Sequence, residues 1–275
     1  MKSLWLMVGA FALLPGCAAL MKTPALDGFT PLPGEARVWV EPGYEAYGAR
    51  VAAALPAAVA RVEAAHYLSF AHPPRVYVCG SAACFARWVK TPKVSAAVVP
   101  DNRLVLSPRL DDPERARLPA LLAHELAHLH LGQRIGHYHS SVPVWFHEGW
   151  ASLTAGGGGA EYASDAQVFE AIRTGRRVDL AVRDTPDRRH RAPAFRLDVH
   201  GFYRQSMLLV GWLKTQDPVR FRLLALAIQD NIDFEIAFWQ VYGQSPAARL
   251  AGFFGGVLGD NVDTQAAPAA PTPAP

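Results

Sequence analysis

The segment His124-Glu125-Leu-Ala-His128, with Glu148 twenty residues after its second histidine, constrains the fold of this chain more than any other feature. On an α-helix, residues four apart sit one turn above each other on the same face, so both imidazoles can reach a single point. A catalytic metal site of this kind uses three protein ligands and keeps a fourth position for water or substrate. A second element must therefore return a third ligand to that point, and Glu148 in Trp145-Phe-His-Glu148-Gly149-Trp-Ala is the best candidate. Glu125 is not a ligand in this reading. It projects about a third of a turn away, where a carboxylate can take a proton from water on the metal. The predicted centre is Zn2+ held by His124, His128 and Glu148, with Glu125 as general base.

The context supports helices at both positions. Leu121-Leu-Ala-His-Glu-Leu-Ala-His-Leu fits a buried helix that stops near Gly132. Glu148 is expected on a second helix opened by Ser141 and Pro143, residue types favoured at an N-cap and in a first turn. His147, one residue before Glu148, should point elsewhere on that helix, and His130, two after His128, likewise faces away. His130, His137, His139 and His147 are expected to be solvent-facing or satisfied in the core rather than to form a second metal site.

Upstream, Arg37–Val40, Arg75–Val78, Val94–Val99 and Arg103–Leu106 read as strands, and Glu45–Tyr67 has helical spacing. Asp111-Asp112-Pro113 resembles a helix start, but Pro119 would interrupt a helix begun there, so a short turn followed by the metal helix from about Leu118 fits better. Downstream the chain turns helical. Gly156 to Gly159 reads as a flexible break, Ser164–Arg173 as a helix, and residues 176–197 as a charged connection that is either a substrate lid or a surface segment. Asp217-Pro218, Asp233 and Ser245-Pro246 mark further helix starts. The run Asp187-Arg188-Arg189-His190-Arg191 reads as a solvated loop.

A hydrophobic content of 51% and a formal charge of +3 describe a globular protein without the basic stripe that nucleic-acid binding needs. At the N-terminus, Lys2, an apolar run from Leu4 to Leu14 and Pro15-Gly16-Cys17 read as a secretory signal. Leu14-Pro-Gly-Cys17 resembles a bacterial lipobox, which implies a lipid on Cys17, membrane attachment through it, and an outer-membrane lipoprotein facing the periplasm. Ordinary cleavage near Ala18 or Ala19 is the alternative. Export lets Cys79 and Cys84 close a small disulfide loop, with two buried thiols as the other reading.

Residues 118–152 resemble the gluzincins, zinc peptidases whose third ligand is a glutamate on the helix after His-Glu-x-x-His. Pro143-Val-Trp-Phe-His-Glu-Gly-Trp-Ala is similar to the "P-x-W-x-x-E-G-x-A" block of small peptidase-MA-like domains. Phe202-Tyr203-Arg-Gln-Ser206 and the stretch from Ala237 to Ser245 echo their helical C-terminal part. Thermolysin-like members carry an aspartate four residues after the ligand glutamate that binds a ligand histidine; here that position is Ser152, whose hydroxyl accepts such a bond less strongly. The glycine-x-methionine-glutamate-asparagine motif of gluzincin aminopeptidases is absent.

The resemblance implies an α+β, zincin-like fold: a small mixed N-terminal sheet with helices, the metal-binding helix, and a C-terminal helical lobe. The expected division is a signal peptide at 1–16, a linker at 17–34, one peptidase domain at 35–260 with lobes 35–133 and 134–260, and a disordered Ala/Pro-rich tail at 261–275. It also implies an oxyanion donor from the C-terminal part, with Tyr203 the first candidate and His200 the second. The last strand before the metal helix would be the edge that receives an extended peptide. The function implied is hydrolysis of peptide or protein substrates in the cell envelope. The alternative is a catalytically silent lipoprotein that uses the same domain as a binding or assembly module.

Overall fold

The computed structural model describes residues 27–91, 93–99, 103–136, 141–185 and 187–259. The signal, Cys17, His137, His139 and the tail lie outside the described residues. The fold is α+β. Two short strands, β1 (Thr30–Leu32) and β2 (Glu35–Val40), form a hairpin, so the stretch expected to be a linker contributes a strand. The helix α1 (Glu45–His66) crosses over to β3 (Val76–Val78), which lies parallel to β2. The short helix α2 (Ala82–Ala86) precedes β4 (Ala96–Val99) and β5 (Arg103–Leu106). The sheet order is β1-β2-β3-β5-β4, with β5 parallel to β3 and antiparallel to β4.

This order corrects one expectation. The last strand before the metal helix, β5, is interior, and the outer strand is β4. Strand pairing cannot be read from chain order when two strands join by a hairpin and the later one inserts beside β3.

The alternation of side chains along the strands covers both faces. Val38, Val40, Val76, Val78, Leu104 and Leu106 point to a core shared with α1 and with α3 (Leu118–Ile135). Tyr77 and Val105 point to the other face, where Phe29, Phe85 and the cysteines close a smaller cluster. Cys79 and Cys84 lie at disulfide distance, S–S 1.97 Å, joining the end of β3 to α2.

Helix α3 starts at Leu118, after two short 3₁₀ turns at Pro108–Leu110 and Arg115–Arg117. It runs through Gly132 and ends at Gly136, whose positive φ of 87° turns the chain away. It is followed by α4 (Val144–Thr154), α5 (Asp165–Arg173), α6 (Val199–Gln216), α7 (Pro218–Gln229), α8 (Phe234–Tyr242) and α9 (Pro246–Leu258). Ser164, Asp217, Asp233 and Ser245 cap α5, α7, α8 and α9 with their side chains, as their sequence positions predict. The start of α4 is different. Pro143 is its N-cap, and the first N–H, that of Val144, donates to Asp184 Oδ2 at 2.7 Å from the segment between α5 and α6. Among the described residues, no helix is long and apolar enough to cross a membrane.

A buried cluster of aromatic and aliphatic side chains holds α4 to α9 together, with Phe146, Phe202, Phe221, Phe234 and Phe238 at its centre. Within it α4 and α6 approach at Gly149, where an added Cβ would stand 2.4 Å from the Ser206 carbonyl oxygen. Gly149→Ala is therefore expected to force the two helices apart and cost about 2 kcal/mol of stability, the scale of an overpacked core. Denaturant unfolding checks this, and an unchanged midpoint would show that the interface yields without cost.

Candidate metal centre

Helix α3 presents His124 and His128 one turn apart, and α4, packed beside it, presents Glu148. His124 Nε2 and His128 Nε2 are 3.0 Å apart, and Glu148 Oε2 is 3.4 Å from the first and 3.2 Å from the second. Ligands at bonds of about 2.0–2.1 Å around a tetrahedral zinc are separated by about 3.3 Å. The three atoms thus have the spacing of one face of such a tetrahedron. His124 and Glu148 are buried, and Glu148 Oε2 has no hydrogen-bond partner among the described residues. A buried, unpartnered carboxylate oxygen facing two ring nitrogens is costly unless a cation satisfies it. This group can hold a metal ion.

The ring tautomers agree. His124 Nδ1 lies 2.9 Å from the Gly158 carbonyl, which can only accept, so Nδ1 carries the proton and Nε2 offers its lone pair. His128 Nδ1 lies 3.0 Å from His147 Nε2. With His147 accepting there, His128 Nε2 is also a lone pair. Two lone pairs and a carboxylate oxygen then converge on one point.

Charge shifts report the same crowding. Burial raises the Glu148 carboxyl, but the neighbouring His128 and His124 outweigh it and hold it well below the usual carboxylate range. Burial lowers the His124 ring, and Glu148 and Glu125 reverse that and raise it. Each group favours the charged state of the other, which is the electrostatic pattern a bound cation would replace.

Of two expectations about the surroundings, the one on Ser152 holds and the one on His147 needs correction. Ser152 Oγ stands 3.5 Å from His124 Nδ1, the weak contact expected of a hydroxyl there, and the shorter bond is to the Gly158 carbonyl. His147 does not point away from the site: it orients His128. His130 is buried, paired with His66 at 3.1 Å and with the Leu68 carbonyl at 2.9 Å.

The glycine run 156–159 is a supporting turn rather than a break. Gly156, Gly157 and Gly159 adopt positive φ, a region glycine enters without strain. The turn delivers the Gly158 carbonyl to His124 and the Gly159 carbonyl to His200 Nδ1 at 2.8 Å. A Cβ on Gly159 would stand 3.0 Å from the His124 ring and 3.1 Å from Tyr203. Gly159→Ala is expected to weaken metal binding about tenfold by tilting that ring, a typical cost of disturbing a ligand's support. A competitive chelator titration measures it, and wild-type affinity would mean that the turn does not set the ring.

Tyr203, on α6, stacks on His124 with ring centroids 5.7 Å apart and planes at 18°. Burial, with the charges of Glu148 and Glu125, pushes its hydroxyl well above the ordinary tyrosine range, so it stays a donor. His200, one turn earlier, has its Nδ1–H turned to Gly159, which leaves its Nε2 an acceptor in the neutral ring. Tyr203 is thus the better-placed donor of the two.

A cleft of about 960 Å³ opens over this group. One wall is the segment from Val94 to Val98, including outer strand β4; the others include Glu125, His147, Tyr162 and His200. Arg189 and Arg191 also line it, so the charged run, exposed at Asp187, Arg188 and Arg191 as a solvated loop is, reaches the site as well. The chain matches no protein-family model, no curated protein and no solved structure.

Proposed function

We propose that the chain is a zinc-dependent peptidase with a zincin-like fold and a gluzincin ligand set, acting on peptides or unfolded proteins in the cell envelope. The observation that carries this reading is the convergence of His124 Nε2, His128 Nε2 and Glu148 Oε2 within 3.4 Å of one another, on the floor of a cleft that also contains Glu125. Two nitrogens and one carboxylate oxygen, with room for a fourth ligand, are a donor set suited to zinc. A bound zinc would activate water and polarise a substrate carbonyl.

The side chains supply the remaining chemistry. Glu125 accepts a proton from the attacking water and passes it to the departing amine. Tyr203 donates to the carbonyl oxygen as negative charge gathers there. Outer strand β4, paired on one side only among the described residues, offers its other edge to an extended peptide, the geometry of strand addition. Export, with a lipid on Cys17, belongs to the same proposal and rests on the N-terminal sequence alone.

The test is cleavage of a diverse peptide mixture read by mass spectrometry, with the protein stripped of metal and then reloaded with zinc. Cleavage that disappears on stripping and returns on reloading is the expected result. One zinc bound per chain with no peptide cut would overturn the peptidase and favour a binding or assembly module.

A further inference from the structure

The segment between α5 and α6 turns part of its positive charge toward the cleft. Asp184 is the acid nearest to it and is already committed. Its Oδ1 accepts from the main-chain N–H of His190 at 2.7 Å and lies 2.8 Å from His190 Nδ1, while its Oδ2 caps α4 through Val144. Arg189 Nε stands 3.8 Å from Asp184, its Nη2 donates to the Val142 carbonyl at 3.0 Å, and its Nη1 is buried with no partner among the described residues. Arg189 is thus fixed beside the first turn of α4 with its charge only partly compensated.

Arg191, two residues on, lines the same cleft. It is exposed, and its side chain makes no hydrogen bond or ion pair among the described residues, its main-chain carbonyl alone accepting from Ala194. Of the other acids of the cleft, Glu114 pairs with Arg109 and Arg117 and Glu148 with the two ligand histidines, while Glu125 makes no ion pair with either arginine among the described residues. Two guanidinium groups held on one wall repel each other and cannot deprotonate to escape it. Burial first, with the charge of Arg191, disfavours the Arg189 cation and outweighs Asp184 and Glu148, which favour it, so a further anion would relieve it. A carboxylate matches the planar fork of a guanidinium and would relieve both charges.

We propose that Arg189 and Arg191 form a carboxylate-binding subsite beside the metal centre, which selects peptides presenting a free C-terminus or an Asp or Glu side chain there. The proposal rests on the peptidase reading for the identity of the ligand as a peptide, and it names the substrate class that reading leaves open.

A random hexapeptide library, made once with free C-termini and once amidated, tests it against the zinc-loaded full chain carrying Glu125→Gln, with retained peptides quantified by mass spectrometry. Carboxylate-bearing peptides are expected to be retained about tenfold over neutral ones, the scale of one charge-assisted hydrogen-bonded pair. Enrichment of the free-acid library identifies the C-terminus as the source. Enrichment of Asp and Glu at one position in the amidated library identifies a side chain. Arg191→Gln, which keeps the main-chain bond to Ala194 and changes only an exposed side chain, should erase the preference, and Arg189→Gln should do the same if it folds. Equal retention of charged and neutral peptides, no retention at all, or a preference unchanged in Arg191→Gln overturns the subsite. Wild-type cleavage of the same libraries judges the reaction separately: carboxylate-selective binding without cleavage keeps the subsite and removes the peptidase, and cleavage without selectivity does the reverse.

Discussion

Glu125→Gln is expected to lower peptide hydrolysis by at least about 100-fold, the scale of a lost general base, while zinc binding stays at the wild-type level. Glutamine keeps the shape and the carbonyl oxygen of the side chain but cannot take a proton. Glu125 contributes none of the three converging ligand atoms, so the metal has no reason to leave. Glu148→Gln should behave in the opposite way. It removes the only negative charge from the ligand group, so zinc is lost first and hydrolysis falls with it, recovering in part when zinc is raised. Bound zinc per chain and initial rate, measured on both variants, separate the roles. A Glu125→Gln protein that keeps the wild-type rate would remove Glu125 as the base, and one that loses zinc would make it part of the metal's support.

What was legible in the sequence was whatever is local. His124 and His128 share a helix face by their spacing alone, and Ser164, Asp217, Asp233 and Ser245 announce helix starts within a few residues. Glu148 was reachable because a short connection between two packed helices leaves few ways for a carboxylate to return. The supports of the site were not legible, because they are main-chain atoms or contacts across long separations. The Gly158 carbonyl carries no letter of its own, and only the unusual run of four glycines beside the motif hinted at a turn with positive φ. Asp184 caps α4 from forty residues away, a distance over which no periodicity speaks. His147 was misjudged by counting helix positions outward from Glu148; the partner that matters lies on α3, and the packing of two helices lets neighbouring residues touch one centre from different sides. β1 escaped notice because Thr30-Pro-Leu is three residues long and contains a proline, tolerated here in an outer strand.

Acid is expected to destabilise the fold through His66, outside the cleft. This ring is 1% exposed and stacks on Trp150 at 4.0 Å between centroids. The Leu68 carbonyl fixes the proton of His130 on Nε2, so His130 Nδ1 accepts from His66 Nδ1–H, and His66 Nε2 is left buried with no partner among the described residues. A proton added there would be an uncompensated buried charge, with His130, His128, Arg134 and Lys214 adding repulsion. Burial first, then those charges, lower the His66 pKa well below its ordinary value of 6.5. The sign follows. Above 6.5 both native and unfolded chains hold the ring neutral, and below it the unfolded chain takes up a proton that the native chain refuses. Stability is therefore lost as pH falls from 6.5 toward the depressed native value, at up to about 1.4 kcal/mol per pH unit. His66→Asn keeps a donor for His130 Nδ1 and cannot titrate. The stability of the wild type minus that of the variant, from denaturant unfolding between about pH 7.5 and pH 5.5, cancels the other titrating groups. That difference should shrink steadily below 6.5, and a constant difference would mean that native His66 accepts its proton as readily as the unfolded chain does.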